Sequence, residues 1–328
     1  MIRIAIIGIG LIGASLGMAL RSANERKSPL GAIHVTGFDT DARALAEARG
    51  RLAIDREART LADAVRDAHL VIVAVPVQTI RTVFANLAPL LPAGATVTDV
   101  ASTKTQVLAW ARELLPTTVD FIGGHPMAGS EKSGPAAASP DLFRNAIYCL
   151  SPREQTRETA VRLVEAMVEQ IGAKLYYIDP VEHDAYVAGV SHLPFMLSTA
   201  LMDIVSRSPG WREMAPLAAT GFRDVTRLAS GSAEMHRDIC LTNREALTRW
   251  LDEMSQRLAE LRDQVAAGDG EALLAWFRRV KEARDQWLAE RPNMRPGEHE
   301  FHAMIDIAYE RPGLFGRWGP GSRQRKQL

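Results

Sequence analysis

The stretch Ile2-Arg3-Ile4-Ala5-Ile6-Ile7-Gly8-Ile9-Gly10-Leu11-Ile12-Gly13 decides the fold of this chain of 328 residues. Its first six residues form an apolar run of strand length, and its last six form a Gly-x-Gly-x-x-Gly motif. The small-residue segment 14–20, which has a helical pattern, follows directly. The motif alone is weak evidence, but between a buried strand and a helix it is typical of a dinucleotide-binding βαβ unit. The alternative is a tight glycine turn that binds no nucleotide.

Each glycine of this motif has a predicted task. Gly8 permits the tight turn, Gly10 lets the backbone approach a pyrophosphate, and Gly13 allows close packing of helix on strand. The phosphates then lie at the helix N-terminus, where free N–H groups and the helix dipole favour anions. We therefore predict cofactor contacts from the three glycines and from Leu11 and Ile12.

A second apolar strand, residues 33–38, ends at Asp39. Its position fits the acid that binds the ribose 2′-hydroxyl about 20 residues after the motif. Because this carboxylate would repel a 2′-phosphate, the sequence favours NAD over NADP. Arg43 is close enough in sequence to leave the use of NADP open.

Apolar strands alternate with helical patterns through the first half of the chain, which is typical of a parallel sheet in an α/β fold. One strand ends at Val75 and Pro76, and the next ends just before Ser102. Ligands of such sheets bind outside the carboxyl ends of the strands, so these three residues are predicted to lie at the cofactor. The pattern places a Rossmann-like dinucleotide-binding domain at residues 1–179.

Composition excludes several classes of function. Lys and Arg together number 39, as do Asp and Glu, so no global field recruits nucleic acid or an anionic membrane. Cys149 and Cys240 offer neither a metal-binding spacing nor a disulfide framework, which indicates inert thiols in a reducing compartment. We find no leader pattern and no apolar run of membrane-spanning length. The sequence therefore predicts a soluble, cytoplasmic protein without a metal site.

Asp179-Pro180 begins an all-α region, because a capping side chain followed by proline starts a helix. The helix from Pro180 to about Ser206 is apolar enough to be buried on most sides. A later helix carries a heptad seam that needs a second helix, from the same chain or from a second copy, to cover it. Its apolar positions are Leu247, Leu251, Met254, Leu258, Leu261 and Val265. We place a helical domain for substrate binding and dimerisation at residues 180–290, and a C-terminal extension with a basic end at residues 291–328.

The segment Gly124-His125-Pro126-Met127-Ala128-Gly129-Ser130-Glu131 puts a titratable imidazole on a predicted glycine-rich loop at the same rim of the sheet. Oxidation of an alcohol by hydride transfer releases a proton, and a neutral imidazole near its unperturbed pKa of ~6.5 accepts it. His125 is therefore the predicted catalytic base, with a structural histidine as the alternative. Ser102 either orients the imidazole or the substrate hydroxyl, or it serves as the N-cap of the next helix.

Three further polar residues lie in the helical half. Arg223 and Arg227 are four apart, so they share one face of a predicted helix. They are either solvated surface residues or bidentate partners for a substrate carboxylate. His192 lies within the most apolar helix and, taken alone, is typical of a satisfied core histidine.

Together these segments resemble the prephenate/arogenate (cyclohexadienyl) dehydrogenases of tyrosine biosynthesis, over about residues 1 to 290. The glycine motif only agrees with that family, whereas the histidine and arginine segments are specific in combination. The segments are Gly8-x-Gly10-x-x-Gly13, Asp99-Val100-Ala101-Ser102-Thr103-Lys104, Gly124-His125-Pro126-Met127-Ala128-Gly129, Ser191-His192-Leu193-Pro194 and Phe222-Arg223-Asp224-Val225-Thr226-Arg227. The resemblance implies a Rossmann domain joined to a helical dimerisation domain, with the active site between them in a homodimer.

The resemblance also implies roles for individual residues. His125 matches the family's base, Ser102 its hydroxyl partner and Arg227 the arginine that holds the substrate carboxylate. His192 and Glu131 match residues that line the substrate pocket. The implied reaction is oxidative decarboxylation with hydride transfer to NAD or NADP, and tyrosine is expected to be able to inhibit at the active site because product resembles substrate.

One departure bears on the substrate's side chain. Many relatives carry a second histidine where this chain has Phe195. Glu131 would favour the ammonium group of arogenate over the keto group of prephenate, unless it pairs with Lys132 or Arg223. Two alternatives to the whole interpretation remain: another two-domain Rossmann dehydrogenase of the β-hydroxyacid or imine class, and a non-catalytic NAD-binding sensor.

Overall fold

A computed structural model describes residues 1–22, 28–130 and 132–294, the last four by their backbone alone. Most of the predicted C-terminal extension therefore lies outside the described residues. Within them, eight strands form one sheet in the order β3-β2-β1-β4-β5-β6-β7-β8. The strands are β1 Ile2–Ile7, β2 Ile33–Phe38, β3 Arg56–Glu57, β4 Leu70–Val73, β5 Thr96–Asp99, β6 Asp120–Pro126, β7 Ile147–Pro152 and β8 Lys174–Tyr177.

The first six strands are parallel, as the sequence predicts, but β7 runs antiparallel to β6. The connection between them holds a single 3₁₀ turn, Pro135–Ala137, among its described residues. A parallel neighbour needs a crossover, usually a helix, and this connection supplies none. The prediction of a parallel sheet is therefore wrong at this one pair, whereas the Rossmann-type class is confirmed.

Helices cover both faces of this sheet. They are α1 Leu11–Ser22, α2 Ala42–Gly50, α3 Leu61–Val65, α4 Val77–Leu87, α5 Thr105–Leu114 and α6 Glu158–Gln170. Ile4 and Ile6 of β1 belong to one buried cluster, and the alternate residues Ala5 and Ile7 belong to the other. Because successive side chains of a strand point to opposite faces, a strand buried on both faces is apolar throughout. This explains the uninterrupted apolar run at the start of the chain.

The second half is helical, as predicted. It comprises α7 Pro180–Val187, a π turn at Ala188–His192, α8 Leu193–Ser206, α9 Trp211–Met214, a 3₁₀ turn at Ala215–Leu217, α10 Thr220–Thr226, a 3₁₀ turn at Arg227–Ser230, α11 Ala233–Thr242, α12 Arg244–Ala267 and α13 Gly270–Met294. The heptad seam lies on α12, where Leu247 is buried while Leu258 and Val265 are exposed. Helix α13 contacts α12. Packing within the chain therefore covers part of the seam and leaves part of it open.

The continuous segment Pro180–Ser206 corrects one expectation, because it is long and apolar enough by length and composition to cross a membrane. The prediction that the sequence has no apolar run of membrane-spanning length is therefore wrong. A core helix of a soluble protein passes the same test, so one segment of this kind is weak evidence. In the structure its polar side chains, among them Asp184 and His192, make buried hydrogen bonds to other elements.

The two halves meet where the helical half caps two helices of the sheet domain. Neither α4 nor α5 has a side-chain cap from its own N-cap residue. Instead, Asp238 of α11 accepts from Gln78 N of α4 at 3.4 Å. Asp184 of α7 accepts from Lys104 N at 2.7 Å and from Thr105 N at 2.9 Å, at the start of α5. We call these contacts, together with the buried residues His125, His183 and His192, the interdomain seam.

Candidate active site

The glycine turn has the shape that a dinucleotide requires. A Cβ at Gly13 would lie 2.0 Å from the Gly8 carbonyl oxygen, so only glycine lets α1 start this close to β1. A Cβ at Gly10 would meet no atom within 4 Å, which leaves the surface above the turn open. Leu11 and Ile12 begin α1 behind this surface and are half-buried. The cradle fits a pyrophosphate at the helix N-terminus, as predicted from the motif.

Asp39 is held beside the turn by the backbone. Its Oδ2 accepts from Ile9 N at 2.7 Å, and its Oδ1 accepts from Asp41 N at 2.9 Å. Each carboxylate oxygen keeps a further lone pair, so the group can still accept from ribose hydroxyls. Arg43 lies close by on α2 and is exposed. A carboxylate is thus positioned where the predicted preference for NAD requires one.

The other predicted cofactor residues lie at the carboxyl ends of the neighbouring strands. Val75 and Pro76 follow β4, and Pro76 is the N-cap residue of α4. Ser102 follows β5 and is half-buried. Helix α5 begins at Thr105 with Lys104 at the N-cap position, so the interpretation of Ser102 as the N-cap is wrong.

His125 lies inside a strand, not on the loop that its glycine neighbours suggested. Strand β6 runs to Pro126 because antiparallel β7 pairs with it, and His125 lies opposite Cys149. Gly124 serves close approach, since a Cβ there would lie 2.5 Å from the Asp99 carbonyl oxygen. His125 is 8% exposed and is therefore fixed on a rigid, buried element.

A chain of hydrogen bonds runs from His125 into the helical half. Its Nδ1 lies 2.9 Å from Nε2 of His183, and Nδ1 of His183 lies 2.8 Å from Oδ1 of Asp184. The two imidazole rings are roughly perpendicular, with centroids 5.1 Å apart. His183 was not predicted. Its only signal was a histidine beside an aspartate in the first turns of α7, which does not indicate a contact 58 residues away.

The pKa of His125 in this hydrogen-bonded arrangement differs from the value that the sequence predicted. Burial lowers the pKa of His125 well below 6.5, and His183, Lys104 and His192 lower it further. The expectation of a pKa near its unperturbed value is therefore wrong, although the imidazole is still neutral at cellular pH. Burial alone would raise the pKa of Asp184, but the hydrogen bonds from His183 and from two backbone N–H groups outweigh it and lower that pKa. Asp184 is thus a carboxylate.

His192 lies in the π turn and is completely buried. Asn243 donates its amide N–H to the Asp184 carbonyl oxygen at 2.7 Å, which identifies Nδ2 as the donor that also meets His192 Nδ1 at 3.1 Å. The remaining nitrogen, Nε2, therefore carries the proton, and it is buried without a partner among the described residues. Burial lowers the pKa of His192 to about 4. Among the described residues His192 is therefore not a fully satisfied core histidine, and its role at a substrate stays a prediction.

A buried ion pair between Lys104 and Asp99 supports the floor of this site. Asp99 also accepts from Gly124 N at 3.1 Å and from Ala101 N at 2.9 Å. These bonds tie the end of β5 to the strand that carries His125. Both residues stand in the Asp-Val-Ala-Ser-Thr-Lys segment, which signalled them, but their pairing was not predicted.

The predicted substrate arginines are not among the buried histidines. Arg223 on α10 is exposed and pairs with Asp224, while Arg227 opens the 3₁₀ turn after α10 and is exposed in the single chain. The two therefore do not lie on one continuous α-helix. Glu131 lies outside the described residues.

Phe195, where a second histidine was expected from the resemblance, is buried one turn beyond His192. The His236 ring from α11 stacks on Phe195, with centroids 4.2 Å apart and planes 2° from parallel. An imidazole thus remains in this region, supplied by a different element. It was missed because it belongs to none of the motifs.

Comparisons with known proteins agree over nearly the whole chain. Residues 23–177 match the nucleotide-binding domain of prephenate dehydrogenase, and residues 179–279 match its dimerization domain. Prephenate dehydrogenase of Bacillus subtilis is 34% identical over 314 residues, which is 95% of this chain and 82% of that protein. Cyclohexadienyl dehydrogenase of Zymomonas mobilis is 33% identical over 86% of this chain and 94% of that protein.

Solved structures give the same result. The crystal structure of Synechocystis arogenate dehydrogenase has a TM-score of 0.72 and 31% identity, over 87% of this chain and 100% of that chain. Prephenate dehydrogenase from A. aeolicus, in complex with hydroxyphenyl propionate and NAD⁺, has a TM-score of 0.79 and 28% identity. That likeness covers 87% of this chain and 98% of the other.

Proposed function

The chain belongs to the prephenate dehydrogenase family, and we propose that His125 is the base that takes the hydroxyl proton when a cyclohexadienyl substrate is oxidised. Its activity is the NAD-dependent oxidative decarboxylation of tyrosine biosynthesis. The observation that supports the proposal best is the buried hydrogen-bonded imidazole of His125, on a strand whose carboxyl end faces the same rim as the glycine turn. The base and the cofactor site are thus held by one sheet.

The chemistry divides between the cofactor and the protein. The glycine turn and Asp39 would hold NAD, which would supply the acceptor for the hydride of the ring carbon that bears the 4-hydroxyl. His125 takes the proton of that hydroxyl, and the ring carboxylate leaves as carbon dioxide. Because the product is aromatic, the step is effectively irreversible. The protein supplies one base and the positioning of the substrate.

We assign the remaining polar residues to the substrate. Ser102 contacts the reacting hydroxyl, consistent with its half-buried place after β5. His192 offers its unmet Nε2–H to a substrate oxygen. Arg227, assisted by Arg223, binds a substrate carboxylate, and Glu131 lines the pocket. The glycine turn, Asp39, Val75 and Pro76 hold the cofactor.

The side chain of the substrate is the open part of the assignment. Relatives of similar identity are named for prephenate, for arogenate and for cyclohexadienyl substrates in general. We propose a cyclohexadienyl substrate that is prephenate, arogenate or both. NADP is proposed as a second cofactor because Arg43 is exposed beside Asp39.

A small-molecule substrate and a dimerisation domain are features of the family. We propose that the chain forms a homodimer, which the exposed positions of the α12 seam support. Inhibition by tyrosine at the active site is proposed because product and substrate share a ring and a side chain. A cytoplasmic location is supported by two free cysteines. The domain limits at residues 179 and 290 are likewise proposals.

The test is a set of assays at 340 nm that crosses prephenate and arogenate with NAD and NADP. Turnover in one pairing supports the function and identifies substrate and cofactor. His125→Asn should lower kcat by roughly 10²–10⁴, the usual contribution of a general base, with folding retained. The matched control is His34→Asn, on the half-exposed histidine of β2. NAD binding without turnover in any pairing would favour the other dehydrogenase classes or the sensor, and a His125→Asn variant with near-normal kcat would remove His125 from the mechanism.

A further inference from the structure

We propose that His183 and Asp184 are positioning residues that hold His125 in the tautomer whose Nε2 is free to accept the substrate proton. The inference rests on the proposed function of His125 as the base. It assigns a catalytic purpose to a histidine that none of the sequence motifs contains. The three side chains form a continuous hydrogen-bonded chain in which each is at most 8% exposed.

The tautomers follow from the Asp184 end of the chain. Asp184 is ionised, so the contact of its Oδ1 with His183 Nδ1 requires a proton on that nitrogen. In the form of His183 that carries a single ring proton, on Nδ1, the other nitrogen Nε2 is bare and can only accept. It accepts from Nδ1–H of His125. The other nitrogen of a neutral His125, Nε2, is therefore unprotonated, which is the form that a general base needs.

Asp184 is itself fixed by contacts that do not involve the histidines. Lys104 N and Thr105 N donate to its two carboxylate oxygens, and Asn243 donates to its backbone carbonyl. Backbone groups at the start of α5 and the residue between α11 and α12 thus hold the Asp184 end of the hydrogen-bonded chain in place. Because the carboxylate cannot turn, the ring orientation and the proton position of His183 are determined as well.

The hydrogen-bonded chain also stabilises the positive charge that a buried base acquires when it takes a proton. His125 becomes an imidazolium when it takes the hydroxyl proton, among the charged or titratable groups Lys104, His183 and His192. Burial disfavours that charge. A positive charge on His183 would disfavour it too, whereas a hydrogen bond from Nδ1–H to a bare Nε2 of His183, backed by the Asp184 carboxylate, favours it. The proton balance is simple: the hydroxyl proton ends on Nε2, the Nδ1 proton stays in its hydrogen bond, and Nε2 releases its proton when the product has left.

Two substitutions separate this role from a structural one. Asparagine carries its amide near the place of Nδ1, so His183→Asn keeps the bond to Asp184 and loses the bond to His125. Glutamine carries its amide near the place of Nε2, so His183→Gln keeps an acceptor for His125 and loses Asp184. We expect kcat to fall about 10²-fold in His183→Asn and less than 10-fold in His183→Gln. The acid limb of kcat/KM should move to lower pH in His183→Asn and stay in place in His183→Gln. If His183 only supports Asp184 structurally, His183→Gln should lose more kcat than His183→Asn. The acid limb of kcat/KM should then stay in place in both variants.

A second measurement does not depend on turnover. In ¹⁵N-histidine-labelled full-length protein, NMR distinguishes protonated from bare ring nitrogens, and His125→Asn identifies the His125 signals. We expect a protonated Nδ1 and a bare Nε2 on His125, with that preference lost in His183→Asn. The opposite tautomer in the wild type, or wild-type kcat in His183→Asn, would overturn the inference while the proposed function stands. The expected tautomer in a protein that turns over no substrate would instead refute the proposed function and leave the hydrogen-bonded arrangement intact.

Discussion

The glycine turn and the interdomain seam are built by opposite means. The turn is contiguous, lies within residues 8 to 13, and works through the absence of side chains: a Cβ at Gly13 would collide with the Gly8 carbonyl oxygen. The seam works through side chains that meet across long distances along the chain, 58 residues for His125 with His183 and 80 residues for Lys104 with Asp184. One region needs local backbone shape, and the other needs the two halves of the molecule to be packed correctly.

This difference determines which kind of change damages each region. Backbone shape is lost through added atoms and hardly depends on pH. A seam built from histidines and carboxylates is lost through changes of charge or of hydrogen-bonding groups. The following substitutions test that division.

The largest effect is expected in the turn. Gly13→Ala should lower the free energy of unfolding by about 3 kcal/mol or more, because the new Cβ would lie 2.0 Å from a carbonyl oxygen that cannot move aside freely. Gly10→Ala is the matched control, since its Cβ meets no protein atom within 4 Å. It should keep the stability and weaken NAD binding, because the methyl group occupies the open cradle. Urea unfolding and NAD titration measure both; equal stability of the two variants would show that the turn tolerates added atoms.

The second-largest effect is expected from acid, which should destabilise the interdomain seam. The pKa of His192 is lowered to about 4 from 6.5, so the unfolded chain binds a proton more readily than the folded one. Stability should therefore fall as the pH drops through 6.5 and level off below about 4, by roughly 3 kcal/mol for this residue. Other buried groups titrate too, so the measurement is the difference between wild type and His192→Asn in urea unfolding at pH 7 and pH 4. The same pH dependence in both proteins would mean that His192 is solvated in the folded state.

Asp184→Asn is expected to cost about 2 kcal/mol, because its amide N–H₂ must face one of the donors that the carboxylate now accepts. Those donors are Lys104 N, Thr105 N and His183 Nδ1. Asp203→Asn, on an exposed aspartate of α8, serves as the control. Thermal unfolding of the two variants gives the comparison, and a loss no larger than that of the control would show that the α5 cap is dispensable.

Asp238→Asn should have the smallest effect, about 1 kcal/mol or less. This carboxylate caps α4 through one long bond of 3.4 Å to Gln78 N, whereas Asp184 makes two short ones. Oδ1 of Asp238 also accepts from the exposed guanidinium of Arg237, a contact that the side-chain oxygen of asparagine can keep. Measured with the same unfolding assay, the ratio of the two losses tests whether the caps act in proportion to their geometry. A larger loss than that of Asp184→Asn would make α4, not α5, the main attachment of the helical half.

The fold was predictable because its signals are local. The apolar run of β1, the glycines that follow it and the Asp179-Pro180 helix start each report on the residues beside them, and all three are confirmed as elements. The antiparallel β7 was not predictable from periodicity, because alternation and apolar runs carry no strand direction. The predicted loop around His125 is wrong for a related reason: Gly124 suggested a loop, whereas it lies within β6 and provides close approach to Asp99.

The site was predictable only in part. His125 was identified because its sequence neighbours are unusual, but the same neighbours said nothing about His183, Asp184 or Asn243. Those residues reach His125 and His192 through the packing of α7 and α12, which no spacing along the chain encodes. The lowered pKa of His125 was equally unpredictable, because its main cause is burial in the folded structure.

The π turn at Ala188–His192 has a consequence for how this site could arise or be lost. In an unbroken α-helix each residue advances by about 100°, so residues 183 and 192, nine apart, would point in opposite directions. The wider turn advances less per residue and brings His192 back towards the side of His183, where both lower the pKa of His125. With one residue fewer in this turn, an unbroken α-helix would place the two histidines eight residues and about 80° apart, so they would still lie on neighbouring sides. The π turn therefore lets the helix hold one extra residue without separating the two histidines, and a straightening of the turn at its present length would point His192 away from His183 without any substitution.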